Sequence, residues 1–170
     1  MIIGIVCVDQ NWGIGKKNDL LFHLKKDMEF FKNTTMDSIV FCGYNTLLSF
    51  PGSKPLKHRS TICLCPEGIE RDDCFCVHDF NTAVKLVKEL AKTKNVYVIG
   101  GAMLYKSMLP YYDQVYVTKV DADGEAEVFF QNLDNEADFI QSTIQETFDG
   151  DYFVRFTKYT RKQFTDILEK

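Results

Sequence analysis

The apolar positions of this chain follow two periods. Short, nearly continuous apolar runs, "MIIGIVCV" (1–8), "SIVFC" (38–42), "TICLC" (61–65), "CFCV" (74–77), "NVYVI" (95–99) and "QVYVTKV" (114–120), read as strands. Strands wetted on neither face belong to a sheet covered on both sides. Between them lie runs of helical period: one around Asp27, a short one at "YNTLLSF", "NTAVKLVKELAK" (81–92) with Asn81 as its cap, and "AMLYKSML" (102–109). This alternation predicts an α/β fold, a mainly parallel twisted sheet flanked by helices. The last third changes character. "EVFF", "DFIQSTIQETF" and "DYFVRFTKYT" are strand-like with no helix between them, which predicts an antiparallel C-terminal strand pair at one edge. No repeat or linker interrupts the chain, so one domain is expected over residues 1–160, and the tail "RKQFTDILEK" (161–170) receives no assignment.

The helix in "LLFHLKKDMEFFKNTT" (20–35) carries a carboxylate on its dry side. At about 100° per residue, Leu24, Phe30, Phe31 and Thr34 fall within about 60° of Asp27, and Lys25, Glu29 and Lys32 lie opposite. Burying an unpaired carboxylate costs several kcal/mol. Two readings stand on this stretch: an acid that hydrogen-bonds a neighbouring backbone, or an acid in a pocket with a raised pKa, able to donate or relay a proton.

Composition narrows the classes. A chain of 170 residues suits one domain, since roughly 150 residues is common. Hydrophobic content of 45%, with 26% charged, is that of an ordinary globular protein. A net charge of -4 argues against nucleic acid or an anionic membrane as partner. No apolar run approaches the roughly 18 residues of a bilayer span. The opening "MIIGIVCVD" lacks a basic n-region and a small-residue cleavage site, so a cytoplasmic protein is expected. Six cysteines invite a zinc reading. Cys63 with Cys65 and Cys74 with Cys76 are spaced by two, with no C-x-x-C and no nearby His to complete a ligand set. Small buried thiols of a reduced core, and no metal, are the expectation.

Two loops carry further chemistry. In "VIGGAMLY" (98–105), Gly100 and Gly101 stand between a strand and a helix, where bare backbone can approach a phosphate; alone, such a pair equally well just turns the chain. "DQNWGIGKKNDLLFH" (9–23) is a long polar segment of the kind that forms a lid.

Taken together, "WGIGKKNDLLFHLKKDMEFFKNTT", "FCGYNTLLSFPGSKPLKHRSTICL" and "VYVIGGAMLY" resemble dihydrofolate reductase, over Ile2 to about Thr160. The resemblance implies a reductase that passes a hydride from NADPH, or NADH, to 7,8-dihydrofolate, needs no metal, is monomeric and binds antifolate inhibitors. It makes Asp27 the active-site acid, holding the pterin's amino group and ring nitrogen and promoting protonation at N5. Ile5, Met28, Phe31, Phe50 and Leu56 match the apolar walls around the substrate, Thr118 the residue bonded to the acid, and Arg59 the partner of folate's glutamate carboxylate. On the cofactor side, Ile14 and Gly15 match the loop over the nicotinamide, and Gly43 and Thr46 the turn at the pyrophosphate. Ile99, Gly100, Gly101 and Tyr105 match the segment closing on it, and Cys7, Tyr44, Asn45, Leu64, Cys65, Ala102, Met103 and Leu104 complete the implied cofactor set.

The chain departs from the family's pattern at several of these places. Phe22 stands where tryptophan is frequent and Leu21 where proline is common. Tyr44 and Met103 replace residues that are often basic, Cys65 and Pro66 replace hydroxyls, and Ala102 replaces a third glycine, all of which weakens the expected grip on a 2'-phosphate. Two other functions share such a fold. A pyrimidine reductase of riboflavin synthesis would lack the helix acid, and a non-catalytic folate or dinucleotide-binding module would retain pockets without chemistry.

Overall fold

The computed structural model describes residues 1–163. In chain order the strands are β1 (Ile2–Val8), β2 (Gly13–Lys16), β3 (Asp19–Leu20), β4 (Ile39–Gly43), β5 (Ser60–Leu64), β6 (Phe75–Val77), β7 (Val96–Gly100), β8 (Gln114–Val120), β9 (Val128–Phe129), β10 (Phe139–Asp149) and β11 (Tyr152–Arg161). The α-helices are α1 (Lys25–Thr35), α2 (Tyr44–Ser49), α3 (Phe80–Leu90) and α4 (Ala102–Ser107). The main sheet has the order β10-β11-β8-β1-β7-β4-β5-β6. Its β8-to-β6 portion is parallel throughout, and β11 pairs antiparallel with both β8 and β10, as the change of pattern in the last third predicts.

Alternation along β1 shows how the sheet separates its two cores. Ile2, Val6 and Val8 join the layer containing Val84 and Val87 of α3, Leu104 of α4 and Met108 just after it. Ile3 and Ile5 join the opposite layer, against Phe30 and Phe31 of α1 and Leu47 of α2. The parallel strands are dry on both faces: every residue of β7 is buried. By contrast β10, at the edge, is exposed along most of its length.

Three local details differ from the sequence-based expectation. The cap of α3 is Asp79 rather than Asn81: its carboxylate accepts from Thr82 N at 2.8 Å and from Thr82 Oγ1 at 2.7 Å. The polar segment 9–23 contains β2 and β3, which form a small sheet with β9. It is anchored at its base by the buried Asp9, whose Oδ1 accepts from Gly13 N at 2.7 Å and whose Oδ2 accepts from Gly124 N at 2.9 Å. Third, β11 continues through Arg161, whose guanidinium donates to the carbonyls of Tyr112 and Leu109, both at 2.7 Å. The remainder of the tail, 164–170, lies outside the described residues.

Candidate active site

The site begins where α1 begins. No side chain of α1's own start caps its first amides. Asp149, at the end of β10, supplies the acceptor instead: its Oδ2 takes the Lys26 N-H at 2.8 Å and the Asp27 N-H at 3.3 Å. Lys26 Nζ reaches back to the Phe148 carbonyl at 2.7 Å and Thr147 Oγ1 at 3.1 Å, so the helix start and the β10 end are stitched together from both sides.

The parallel register of β1 and β8 sets Cys7 opposite Thr118, placing both side chains on the sheet face that α1 covers. Both stand near enough to the Asp27 carboxylate to bear on its proton affinity as hydrogen-bonding partners. Burial raises the Asp27 pKa above the ordinary carboxyl range; the hydrogen bonds from Thr118 and Cys7 pull it back, and the Asp149 charge pushes it up again. Cys7 itself is driven well above the usual thiol value, by burial first and then by the Asp27 carboxylate beside it. It stands there as a protonated donor. Among the described residues no lysine or arginine forms an ion pair with Asp27.

Of the apolar residues expected around a substrate, Ile5, Phe31, Phe50 and Leu56 gather in one cluster on this face. Met28 lies on the outer side of α1, 58% exposed. Arg59 meets the far end of the helix, where Nη1 donates to Thr35 Oγ1 at 3.2 Å and Nε donates to the Lys57 carbonyl at 2.9 Å. Partial burial lowers its pKa from the usual guanidinium value. Positions 27 and 35 are separated by about 12 Å along a helix. An acid and a guanidinium thus stand at the two ends of α1, with apolar side chains between them.

The glycine turns converge on the other side of the sheet's C-terminal edge. Gly43 ends β4 and Gly100 ends β7, each at the start of a short helix. A Cβ on Gly43 would sit 3.9 Å from both Gly100 O and Gly101 N, and one on Gly101 would sit 3.3 Å from Thr46 Oγ1. Gly100 has φ +121°, and a Cβ there would press on the Tyr105 ring at 3.3 Å. The Gly100–Gly101 peptide is cis. The Tyr105 and Leu104 side chains point into the core, and the Tyr105 hydroxyl donates to the Ile5 carbonyl at 2.8 Å. What those two positions can offer a ligand is backbone. Ile99 and Cys65 are buried, Ile14 is buried beside Trp12, Gly15 is buried in β2, and Thr46, Leu64 and Ala102 are half-buried. Asn45 and Met103 are exposed, and Tyr44 packs half-buried against the α1-side cluster.

The thiols beyond Cys7 line the β4-β5-β6 side. Cys42, Cys63 and Cys65 are buried, Cys74 and Cys76 half-buried, and Cys65 Sγ donates to Cys76 Sγ at 3.2 Å. Among the described residues, no group of three or more His, Cys, Asp or Glu is arranged to hold a metal ion.

Comparison with known proteins gives this geometry a family. The family model described as dihydrofolate reductase matches residues 1–163. The chain belongs to the dihydrofolate reductase family. Among curated relatives, the dihydrofolate reductase of Bacillus subtilis (strain 168) is 31% identical over 166 residues, covering 95% of each chain. That of Staphylococcus haemolyticus is 32% identical over 126 residues and 74% of each chain. That of Schistosoma mansoni is 34% identical over 149 residues, 76% of this chain and 77% of its own. The solved Enterococcus faecalis dihydrofolate reductase, complexed with NADP(H) and RAB-propyl, shares the fold at TM-score 0.80 and 23% identity, over 96% of this chain and 97% of that one.

Sequence reasoning missed Asp149, Thr35 and the Cys7 thiol beside the acid, all of which the structure brings to this region. Asp149 lies 122 residues from Asp27 and carries no local mark beyond a turn sequence, "FDGDY". The Cys7 role depends on strand register, which one chain's pattern does not disclose.

A buried acid with a raised pKa has a thermodynamic signature. In the unfolded chain an aspartate titrates near about 3.9. Between that value and the higher folded one, the native state holds more protons than the unfolded state, so stability falls as pH rises through the window and stays lower above it. Asp27→Asn removes this cost. The variant is expected to melt roughly 2 to 4 °C above the parent near neutral pH, with the gap closing as pH falls to about 4. Calorimetric melting of both proteins across this range is the check; a gap independent of pH would show that the buried carboxylate is not its cause.

Proposed function

We propose that this chain reduces 7,8-dihydrofolate to 5,6,7,8-tetrahydrofolate with NADPH as hydride donor. The observation that carries the reading is Asp27: a carboxylate with two donors and no cation, beside an apolar cluster, with Arg59 at the other end of the same helix. A ligand with an amino-substituted ring at one end and a carboxylate about 12 Å away fits both. Asp27 holds the ring's amino group and nitrogen and, through its raised pKa, favours a proton at N5. Ile5, Phe31, Phe50 and Leu56 exclude water from the ring, and Arg59 grips the glutamate carboxylate with a planar fork. Residues 1–160 form the catalytic unit in this reading, acting as a cytoplasmic monomer, and antifolates compete for Asp27.

NADPH, when bound, supplies the hydride from C4 of its nicotinamide to C6 of the pterin. The glycine cradle at Gly43, Gly100 and Gly101 suits its diphosphate, since no side chain stands between the two turns and Thr46 Oγ1 closes one side. Ile14 and Gly15 come from β2 of the small three-stranded sheet. The 2'-phosphate end is less well provided. Tyr44 carries no charge. Arg71, which feels the Tyr44 hydroxyl electrostatically, is already engaged by Asp73 at 2.8 and 2.7 Å. Its field toward a phosphate is therefore largely neutralised, and the preference for NADPH over NADH is expected to be weaker than the family norm.

Four measurements test the proposal. Stopped-flow absorbance on mixing protein, NADPH and dihydrofolate is expected to show cofactor oxidation. Asp27→Asn retains binding but loses much of the neutral-pH rate, recovering part of it in acid, where solvent protonates the substrate; an unchanged neutral rate removes Asp27 from the chemistry. Arg59→Ala is expected to raise KM for dihydrofolate far more than it lowers kcat, at a cost on the order of 2 to 4 kcal/mol, because a remote contact stabilises ground and transition states alike. A substrate without the glutamyl tail is expected to be indifferent to the change, and equal losses for both substrates would separate Arg59 from the carboxylate. Tyr44→Arg is expected to raise the NADPH-to-NADH ratio of kcat/KM roughly tenfold, as an added charge worth about 1.4 kcal/mol would. A ratio that does not move places the phosphate elsewhere.

A further inference from the structure

The Asp27 site has one acid more than its chemistry uses. Asp149 is 6% exposed, sits at the β10 end of a hairpin 122 residues away, and spends its Oδ2 on the N-H groups of Lys26 and Asp27 itself. The helix start offers those N-H groups to any acceptor, and a neutral Ser, Thr or Asn also caps such groups, so the two hydrogen bonds alone do not call for a charge. A full negative charge at this place does two things at once. It fixes the first turn of α1, and it sets a second carboxylate against the one that works.

We propose that Asp149 is a positioning residue: from the end of β10 its carboxylate seats the α1 start on the amides of Lys26 and Asp27, so that the charge on the β10–β11 hairpin sets the pH range in which the enzyme protonates its substrate. The inventory around Asp27 supports this. From β1 it is met by the Cys7 thiol and from β8 by the neutral Thr118 hydroxyl, both donors that favour the ionised acid. From α4 the buried Tyr105 phenol stays protonated, held up by burial and by the Asp27 charge. The nearby cation, Lys26 Nζ, is turned onto the Phe148 carbonyl and Thr147 Oγ1 of the hairpin. Apart from burial, Asp149 is the group that pushes Asp27 toward its protonated form.

The inference rests on the reading of Asp27 as the group governing protonation at N5, and the test separates the two. The full chain is labelled with 13C at aspartate Cγ, Asp27→Asn identifies the Asp27 resonance, and the Asp27 midpoint is followed by NMR alongside the pH dependence of hydride transfer. Asp149→Asn keeps an oxygen for the two amides and removes the charge. The Asp27 midpoint is then expected to fall by about half a unit to one unit, and the decline of hydride transfer with rising pH moves down with it. Asp149→Ser, a neutral cap of different size, moves the midpoint in the same direction. Asp149→Glu restores it toward the parent value. Asp72→Asn, an equal charge change beside β6 at the opposite edge of the sheet, leaves it in place. An Asp27 midpoint that stays or rises in both neutral-cap variants overturns the proposal, as does an equal fall in Asp72→Asn. A midpoint that falls while the rate profile stays fixed keeps Asp149's effect on Asp27 but overturns its setting of the reaction's pH range, and with it the role given to Asp27.

Discussion

The structure is organised around one carboxylate that has no cation. Asp27 needs hydrogen bonds in place of a counter-ion, and each comes from a different part of the fold. Thr118 and Cys7 reach it only because β1 and β8 are parallel neighbours in a register that sets these two residues side by side. Its backbone is held by Asp149 at the end of a hairpin contributed by the last strands. A slip of one residue in β8 would turn Thr118 to the other sheet face and leave the acid with a single donor. The fold's central pairing and its antiparallel edge thus both converge on this side chain.

A second consequence concerns the helix itself. Asp27 lies in the first turn of α1, where free amides and the helix dipole favour negative charge. Left alone, that environment would ease its ionisation and oppose the protonation the reaction needs. Asp149 takes the same amides for its own carboxylate, spending much of the favourable field before Asp27 can use it. The two acids thus share one helix start: Asp149 accepts from its amides, and Asp27 is left to the side-chain partners that the strands supply.

How much of this was legible in the sequence follows from the range of the forces involved. The parallel strands announced themselves as continuous apolar runs because both of their faces are dry, and each lies within one or two residues of its expected place. Asp27 was visible because a charged residue on an apolar helical face is a local contradiction. Arg59 and the glycine turns were recognisable only with family knowledge, since an arginine or a Gly-Gly pair has many ordinary uses. Hidden from the sequence were the features made by distant pairing. The β2–β3–β9 sheet depends on strands of two to four residues with no pattern of their own. Asp149 could have been any hairpin acid until β10 was placed against α1. The Asp79 cap was missed for a smaller reason: Asp79 and Asn81 are both good caps two residues apart, and the Thr82 contacts decide between them.

The cofactor side follows a different logic, in which specificity depends on what is withheld. At Gly43, Gly100 and Gly101 the facing surface is backbone, and what it offers a ligand does not depend on the side chain at position 102. Charge discrimination cannot be supplied that way. A guanidinium already paired in a fork to Asp73 has its donors aimed and its field cancelled, and a phosphate would have to displace that carboxylate to use it. Arg71 is also tied to the Ser53 carbonyl at 2.7 Å, which bridges it to the turn after α2. Its present partners make it a brace between two loops, and bracing and phosphate binding would draw on the same N-H groups.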